Sequence, residues 1–165
     1  MNEKHIYTPE QKEEWFGKGE WCNEPDTVTF DHKGLKCLVF RVVKFEHDNH
    51  AFGGHFCGYV RVPKDNEIYG KSWSECPIDD IHGGLTFYEK QDDDLIIGFD
   101  CGHIVDILPC MRKFYENLDP ENKFPNFPML HPTYKNVEFV IYETKNLAEQ
   151  VTKYDKRGSN DPLTK

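Results

Sequence analysis

The sequence predicts a single-domain α+β fold: a curved, mainly antiparallel sheet of about six strands, with helices from the N- and C-terminal parts of the chain packed on it. Three observations carry this. Short β-prone runs recur, several of them joined by turn-like segments, as hairpins require. The strongest helical patterns sit near the two ends rather than alternating with strands. The 165 residues, 38% of them hydrophobic, suffice for one buried core. With no internal repeat and no linker, residues 1–156 read as the domain and 157–165 as a flexible tail.

Thr8-Pro9-Glu10-Gln11 opens a helix, with Thr8 at the N-cap, Pro9 at the first helical position and acids in the first turn. It runs to about Phe16, where Trp15 and Phe16 anchor it to the core, and stops at Gly17. GKGEWCNEPD (17–26) is a loop by its Gly, Asn, Pro and Asp content. TVTF (27–30) and LKCLVFRVVKF (35–45) are the strands of a hairpin, the second apolar enough to be central. HDNHAFGG (47–54) is a loop, and HFCGYVRVP (55–63) a strand ended by Pro63. Residues 64–80 lack a period and hold one short helical turn near 74–76. LTFY (85–88) and LIIGFD (95–100) are strands around the polar turn QDDD (91–94). DILPCMRKFYENL (106–118) has helical spacing in Ile107, Met111, Phe114, Tyr115 and Leu118, with Asp106 placed to cap it. Residues 119–136 carry four prolines and wrap the surface. VEFVIYE (137–143) alternates like a strand, and TKNLAEQVTKYDK (144–156) is an amphipathic helix with Leu147, Ala148, Val151 and Tyr154 on one face.

Charge and composition narrow the functional classes. A net charge of −9 argues against binding duplex nucleic acid, which calls for a basic face, while leaving room for a small nucleotide held by local donors. No apolar run approaches the roughly 20 residues of a membrane helix, and the charged start lacks the apolar centre of a signal peptide. The expected location is the cytoplasm. Six cysteines without a CxxC pair argue against a zinc ribbon or finger.

The chemistry concentrates in IHGGLTFYEKQDDDLIIGFDCGHIVD (81–106). In an antiparallel hairpin the start of one strand lies beside the end of the next. The register that puts QDDD at the turn therefore brings His82 towards Asp100, Cys101 and His103. Asp106 follows His103 by three residues, so a tight turn adds a second carboxylate. His82 and His103 are candidate general base and acid, with Asp100 or Asp106 orienting a ring. His82, His103 and Asp106 are equally candidate ligands for one divalent metal (zinc, manganese, magnesium or iron), whose bound water would be a nucleophile at neutral pH. Asp100 as a turn cap and His103 as a hydrogen-bonded, partly buried ring are the structural alternatives.

Gly83 and Gly84 let backbone N–H groups approach a ligand, or mark a bulge. Cys101 is a candidate nucleophile or a buried small side chain. Trp21, Glu24 and Asp26 are candidate ligand contacts, or else a core ring and turn caps. Glu143 either reaches the site or serves as an acid at a helix N-terminus. Arg41, inside an apolar strand, needs an anion: Asp26 or Glu143 internally, or a substrate phosphate.

Four segments carry a resemblance: Gly19, Trp21 and Glu24 to Asp26; Cys57 to Val60; His82 to Thr86; and Gly98 to Asp106. Together they resemble a group of small uncharacterised phage and bacterial proteins, over roughly residues 17–150. The resemblance implies a phage-associated chain, working in the host cell cytoplasm, and one unit made of the four segments. Thr86 joins the candidate ligand contacts on that basis. It implies no reaction.

Phosphate-loop, dinucleotide-loop, GxSxG, deaminase Pro-Cys-x-x-Cys and paired His-x-Thr/Ser patterns are all missing. The expectation is therefore a small His/Asp hydrolase acting on a phosphorylated or nucleotide-like molecule. The alternative is a non-catalytic protein that sequesters a small ligand or occludes a host defence factor. A host protein and a second copy of the chain remain open as partners. A third alternative makes the polar hairpin a hydrogen-bonded core feature of a virion or scaffold protein.

Overall fold

The computed structural model describes residues 1–46, 50–91, 93–121, 123, 126 and 128–156. The expected tail, 157–165, and part of the expected 47–54 loop lie outside them. Six strands, β1 (Asn2–Lys4), β2 (Thr27–His32), β3 (Leu35–Phe45), β4 (Ala51–Pro63), β5 (Phe87–Gln91) and β6 (Asp94–Asp100), form one open sheet in the order β1-β2-β3-β4-β6-β5. Every neighbouring pair is antiparallel. With helices α1 (Pro9–Phe16), α2 (Arg112–Tyr115) and α3 (Val137–Thr152), the fold is α+β.

Strand alternation decides what is buried. Val28, Val39, Val60 and Ile97, one from each of the four inner strands, are fully buried against Val140, Leu147, Ala148 and Val151 of α3. On the other face Leu38, Tyr59, Phe87 and Ile96 line a cavity of about 790 Å3. The α1 start is a complete capping box: Thr8 Oγ1 accepts from Gln11 N at 3.2 Å, and Gln11 Oε1 accepts from Thr8 N at 2.9 Å.

β4 starts at Ala51, inside the expected 47–54 loop, and β5 is shifted to Phe87–Gln91 from the expected 85–88. Three further elements depart from the sequence reading. The run 137–143 is the first half of α3, not a strand. Asn136 caps the helix through its side chain, and Glu24 Oε1, distant in sequence, accepts from Val137 N at 2.9 Å. Val140, Thr144, Leu147 and Val151 then form one buried stripe, a period the local alternation of Val137, Phe139 and Ile141 conceals. The sixth strand is instead β1, three exposed residues paired to β2. The helix expected over 106–118 shrinks to a 3-10 turn (Pro109–Met111) and the four-residue α2, which leaves Met111 and Phe114 exposed. Asp106 does not cap it, because that carboxylate is taken by two imidazoles.

Candidate functional site

The β5–β6 hairpin pairs Phe87 with Gly98 and Gln91 with Asp94, so the polar turn lies where the sequence puts it. Thr86 N donates to Gly98 O at 2.9 Å, extending the ladder towards the open end. Pairing stops there; residues 81–84 turn, with Gly84 N donating to Ile81 O, and this turn together with the bend after β6 brings His82 beside His103. The His82 and His103 rings meet edge to face, with centroids 5.3 Å apart. Beyond β6 the chain turns back sharply: Asp106 N donates to His103 O at 2.8 Å, and His103 N to Asp106 Oδ2 at 3.1 Å. The turn is pinned by 131–135, where Ile107 N donates to Thr133 O and Thr133 N to Val105 O.

The Asp106 side chain is wholly buried, and both imidazoles converge on it. Its Oδ2 lies 2.9 Å from His82 Nε2 and 3.1 Å from His103 Nδ1. Both rings keep a partly exposed edge. Burial would push the Asp106 carboxyl up, but hydrogen bonds from His82 and from His103, with the charge of His82, outweigh it. The carboxyl is held below its ordinary value of 3.8, so it stays ionised at neutral pH. Lys135 Nζ stands 3.8 Å from Asp106 Oδ1. From α3, Phe139 sets its ring against His82 with centroids 5.3 Å apart, and Glu143 Oε2 accepts from His82 N at 3.0 Å.

Gly83 is needed here for two reasons. Its φ of +66° disfavours L side chains, and a Cβ would sit 2.0 Å from His103 Cε1. The bare backbone is what lets the His103 ring lie where it does. His82, His103 and Asp106 each offer one donor atom, all within 4.8 Å of one another. Donors on one tetrahedral zinc sit about 3.3 Å apart. The two carboxylate–imidazole spacings, hydrogen-bond lengths as they stand, also suit that geometry, so among the described residues this trio could hold a divalent metal, with Lys135 giving way.

The remaining sequence candidates fall elsewhere. Cys101 is buried on the core side of β6, and burial pushes its thiol far up, away from the thiolate a nucleophile needs. Asp100 turns its Oδ1 to Gly102 N at 2.8 Å and does not join Asp106. Thr86 is exposed on the hairpin, and Gly84 closes the turn by donating to Ile81 O.

Trp21, Glu24 and Asp26 belong to a different network, built on buried Arg41. Arg41 Nε donates to Asp26 Oδ1 at 2.8 Å and a terminal nitrogen to Glu24 Oε2 at 2.9 Å. Its other terminal nitrogen donates to Gly54 O at 2.7 Å and to the Tyr134 hydroxyl at 3.0 Å. Buried Lys12 adds a second cation 3.3 Å from Asp26. Trp21 packs edge to face on Tyr134. This hub supports the site without entering it: it grips Gly54 beside His55, Tyr134 beside Lys135, and through Glu24 the first turn of α3.

Sequence reasoning passed over His55, Lys135 and Phe139. His55 sits in β4 where residues 54 and 55 stand opposite Val42 alone, and Gly53 and Gly54 have φ of +93° and +86°. The Gly53-Gly54 pair is a legible signal for a bulge that re-aims the next side chain. Lys135 and Phe139 had none, since both arrive from a proline-rich segment and from a run that imitates a strand.

Fold and site together define an α+β domain with two imidazoles gathered on a buried carboxylate at the open end of a hairpin. Protein-family models, curated proteins and solved structures yield no match to this chain, so functional assignment rests on these residues. Among the described residues no helix is long and apolar enough to cross a membrane.

Proposed function

We propose that the protein is a small hydrolase acting on a phosphorylated or nucleotide-like small molecule, with His82, His103 and Asp106 as its reaction centre. The observation that carries the proposal is the convergence of two partly exposed imidazoles on one buried, ionised carboxylate. Asp106 fixes both rings, His82 through Nε2 and His103 through Nδ1, leaving the other nitrogen of each for water or substrate. One imidazole takes a proton from the attacking water and the other gives one to the leaving oxygen. Lys135 supplies a positive charge suited to an anionic group. Within this proposal the substrate is one met in the host cytoplasm, a reading supported only by the resemblance of the four segments to phage and bacterial proteins.

In one variant of this reading His82, His103 and Asp106 would hold a divalent metal, which would supply an activated water. Elemental analysis of untagged protein purified without chelator separates the two. About one zinc, manganese or iron per chain, lost in His103→Ala, selects the metal version; magnesium needs a separate titration.

The main test is a panel of nucleoside phosphates, cyclic nucleotides and sugar phosphates, read by product chromatography. Turnover of at least one compound is expected, falling about 10²–10⁴-fold in His82→Ala and His103→Ala while circular dichroism is unchanged. Tight binding without product, lost in the same variants, would instead identify a sequestering protein.

A further inference from the structure

The sheet face turned away from α3 breaks the rule that an uncovered face is polar. One cross-strand row, Asn2, Thr29, Leu38, Tyr59, Gly98 and Phe87, runs in register through all six strands. Residues directly opposite one another share a face, so the middle of this row is apolar. Leu38, Tyr59 and Phe87, with Ile96 beside them, all stay partly exposed. Gly98 shapes the row. The Tyr59 ring lies over it, and a Cβ there would sit 2.5 Å from Tyr59 Cδ1. Crossing the bare position, the ring meets Phe87 edge to face with centroids 5.4 Å apart. The two rings, Leu38 and Ile96 form the apolar wall of the cavity of about 790 Å3. Small-molecule sites run from roughly 300 to 1,000 Å3.

Lys36 and Arg61, on the adjoining strands β3 and β4, also line this cavity. Among its lining side chains these two cations face one acid, Asp31, in a chain of net charge −9. Asp31 accepts from Lys36 Nζ at 3.0 Å, and Asp94 stands 3.2 Å from Arg61 Nε. Both pairs are solvent-exposed and so hold their cations weakly. The terminal nitrogens of Arg61 have no partner among the described residues.

We propose that the cavity is a second binding site, for a small amphipathic anion: an apolar chain or ring laid over Leu38, Tyr59 and Phe87, with a carboxylate held by Arg61 and Lys36. The apolar wall and the two cations match the two ends of such a molecule. A second copy of the chain is the poorer occupant. A two-fold contact sets one patch against itself, and two facing hollows leave the apolar wall unfilled. No residue of the His82–His103–Asp106 centre lines the cavity, so this site stands or falls separately from the hydrolase reading.

The test compares octanoate, octanol and octylammonium on the full chain, followed by amide and histidine-ring magnetic resonance signals. Octanoate should bind at a single site, about tenfold more tightly than octanol, as one charge-assisted contact at a partly exposed position allows. Octylammonium should bind more weakly than octanol. The shifts should centre on Leu38, Tyr59 and Ile96 and spare the rings of His82 and His103. The double variant Lys36→Gln, Arg61→Gln, at two exposed side chains, should bring octanoate down to octanol and leave octanol unchanged. Leu38→Glu puts a charge on the apolar wall and should abolish binding of both; if it fails to fold, the double variant alone decides. Absence of octanoate binding overturns the proposal, as does octanoate binding no better than octanol, or an advantage that survives the double variant. Shifts confined to His82 and His103 also overturn it, by moving the anion to the other centre. A dimer in sedimentation that Leu38→Glu splits would give the face to a second copy and overturn the ligand site.

Discussion

The Arg41 hub and the His82–His103–Asp106 cluster are both built from charged groups around buried carboxylates, yet only one is closed. In the hub two cations, Arg41 and Lys12, face two carboxylates, Glu24 and Asp26, and the guanidinium is spent on Asp26, Glu24, Gly54, Tyr134 and Trp21. Asp26 further accepts from Ile6 N and Tyr7 N, tying the N-terminal segment to the sheet. Nothing remains for a ligand. In the cluster Asp106 is just as buried, but His82 and His103 are 17% and 28% exposed, each with a ring nitrogen left over. A closed network holds structure, while an open one holds capacity for chemistry. The two are joined through consecutive residues, Gly54–His55 and Tyr134–Lys135, so the rigid network aims the open one.

The difference is sharpest in stability. Arg41→Ala should cost about 3–5 kcal/mol, since it strands Asp26 and Glu24 without their cation; urea unfolding measures it, and a loss near 1 kcal/mol would show the hub is not what locks the fold. Gly83→Ala comes next, at about 1–3 kcal/mol for a side chain forced to positive φ. It should also displace His103, so that the histidine ring signals move more than the melting temperature suggests.

Asp106→Asn should be smaller and pH-dependent. The folded-state carboxyl titrates below its ordinary 3.8, so its contribution is full above that value and is lost as pH falls through the folded value. The stability gap between native protein and Asp106→Asn should therefore shrink as pH drops from about 5 towards about 3. A gap that widens there would reverse the sign assigned to this carboxylate. The smallest stability effect, under about 1 kcal/mol, is expected for His103→Ala, a partly exposed ring. The same variant should still lower turnover about 10²–10⁴-fold, or lose binding if the protein only sequesters its ligand. If it unfolds the protein as Arg41→Ala does, the cluster is a second structural hub and the contrast collapses.

Much of this was readable from the chain. Thr8-Pro9 and Gln11 announce α1 because capping chemistry is local. Hydrophobic runs announce β2, β3, β4 and β6 because strand burial repeats every second residue. Hairpin register, a short-range constraint once QDDD is placed at the turn, brings the start of β5 beside the end of β6, and the turns at 81–84 and 103–106 complete the meeting of His82 with His103. Arg41 declared its need for an anion because a buried guanidinium must have one.

Other features were settled by contacts across the fold. Residues 137–143 alternate like a strand, yet the apolar sheet face and the distant Glu24 cap draw them into α3. Asp106, set to cap a helix by its position, is captured by two imidazoles whose side chains converge only when the hairpin closes. Glu24 and Asp26, legible as polar residues in a loop, went to Arg41 rather than to the histidines because the fold holds that loop beside the buried guanidinium, which needs anionic partners. Lys135 reaches Asp106 from a segment with no period at all. Composition and local pattern thus determined the strands, α1 and which residues were chemically capable. Long-range packing decided which of them share a site, since a side chain's partners are set by where the backbone is held, and the sheet, α3 and the Arg41 hub hold it.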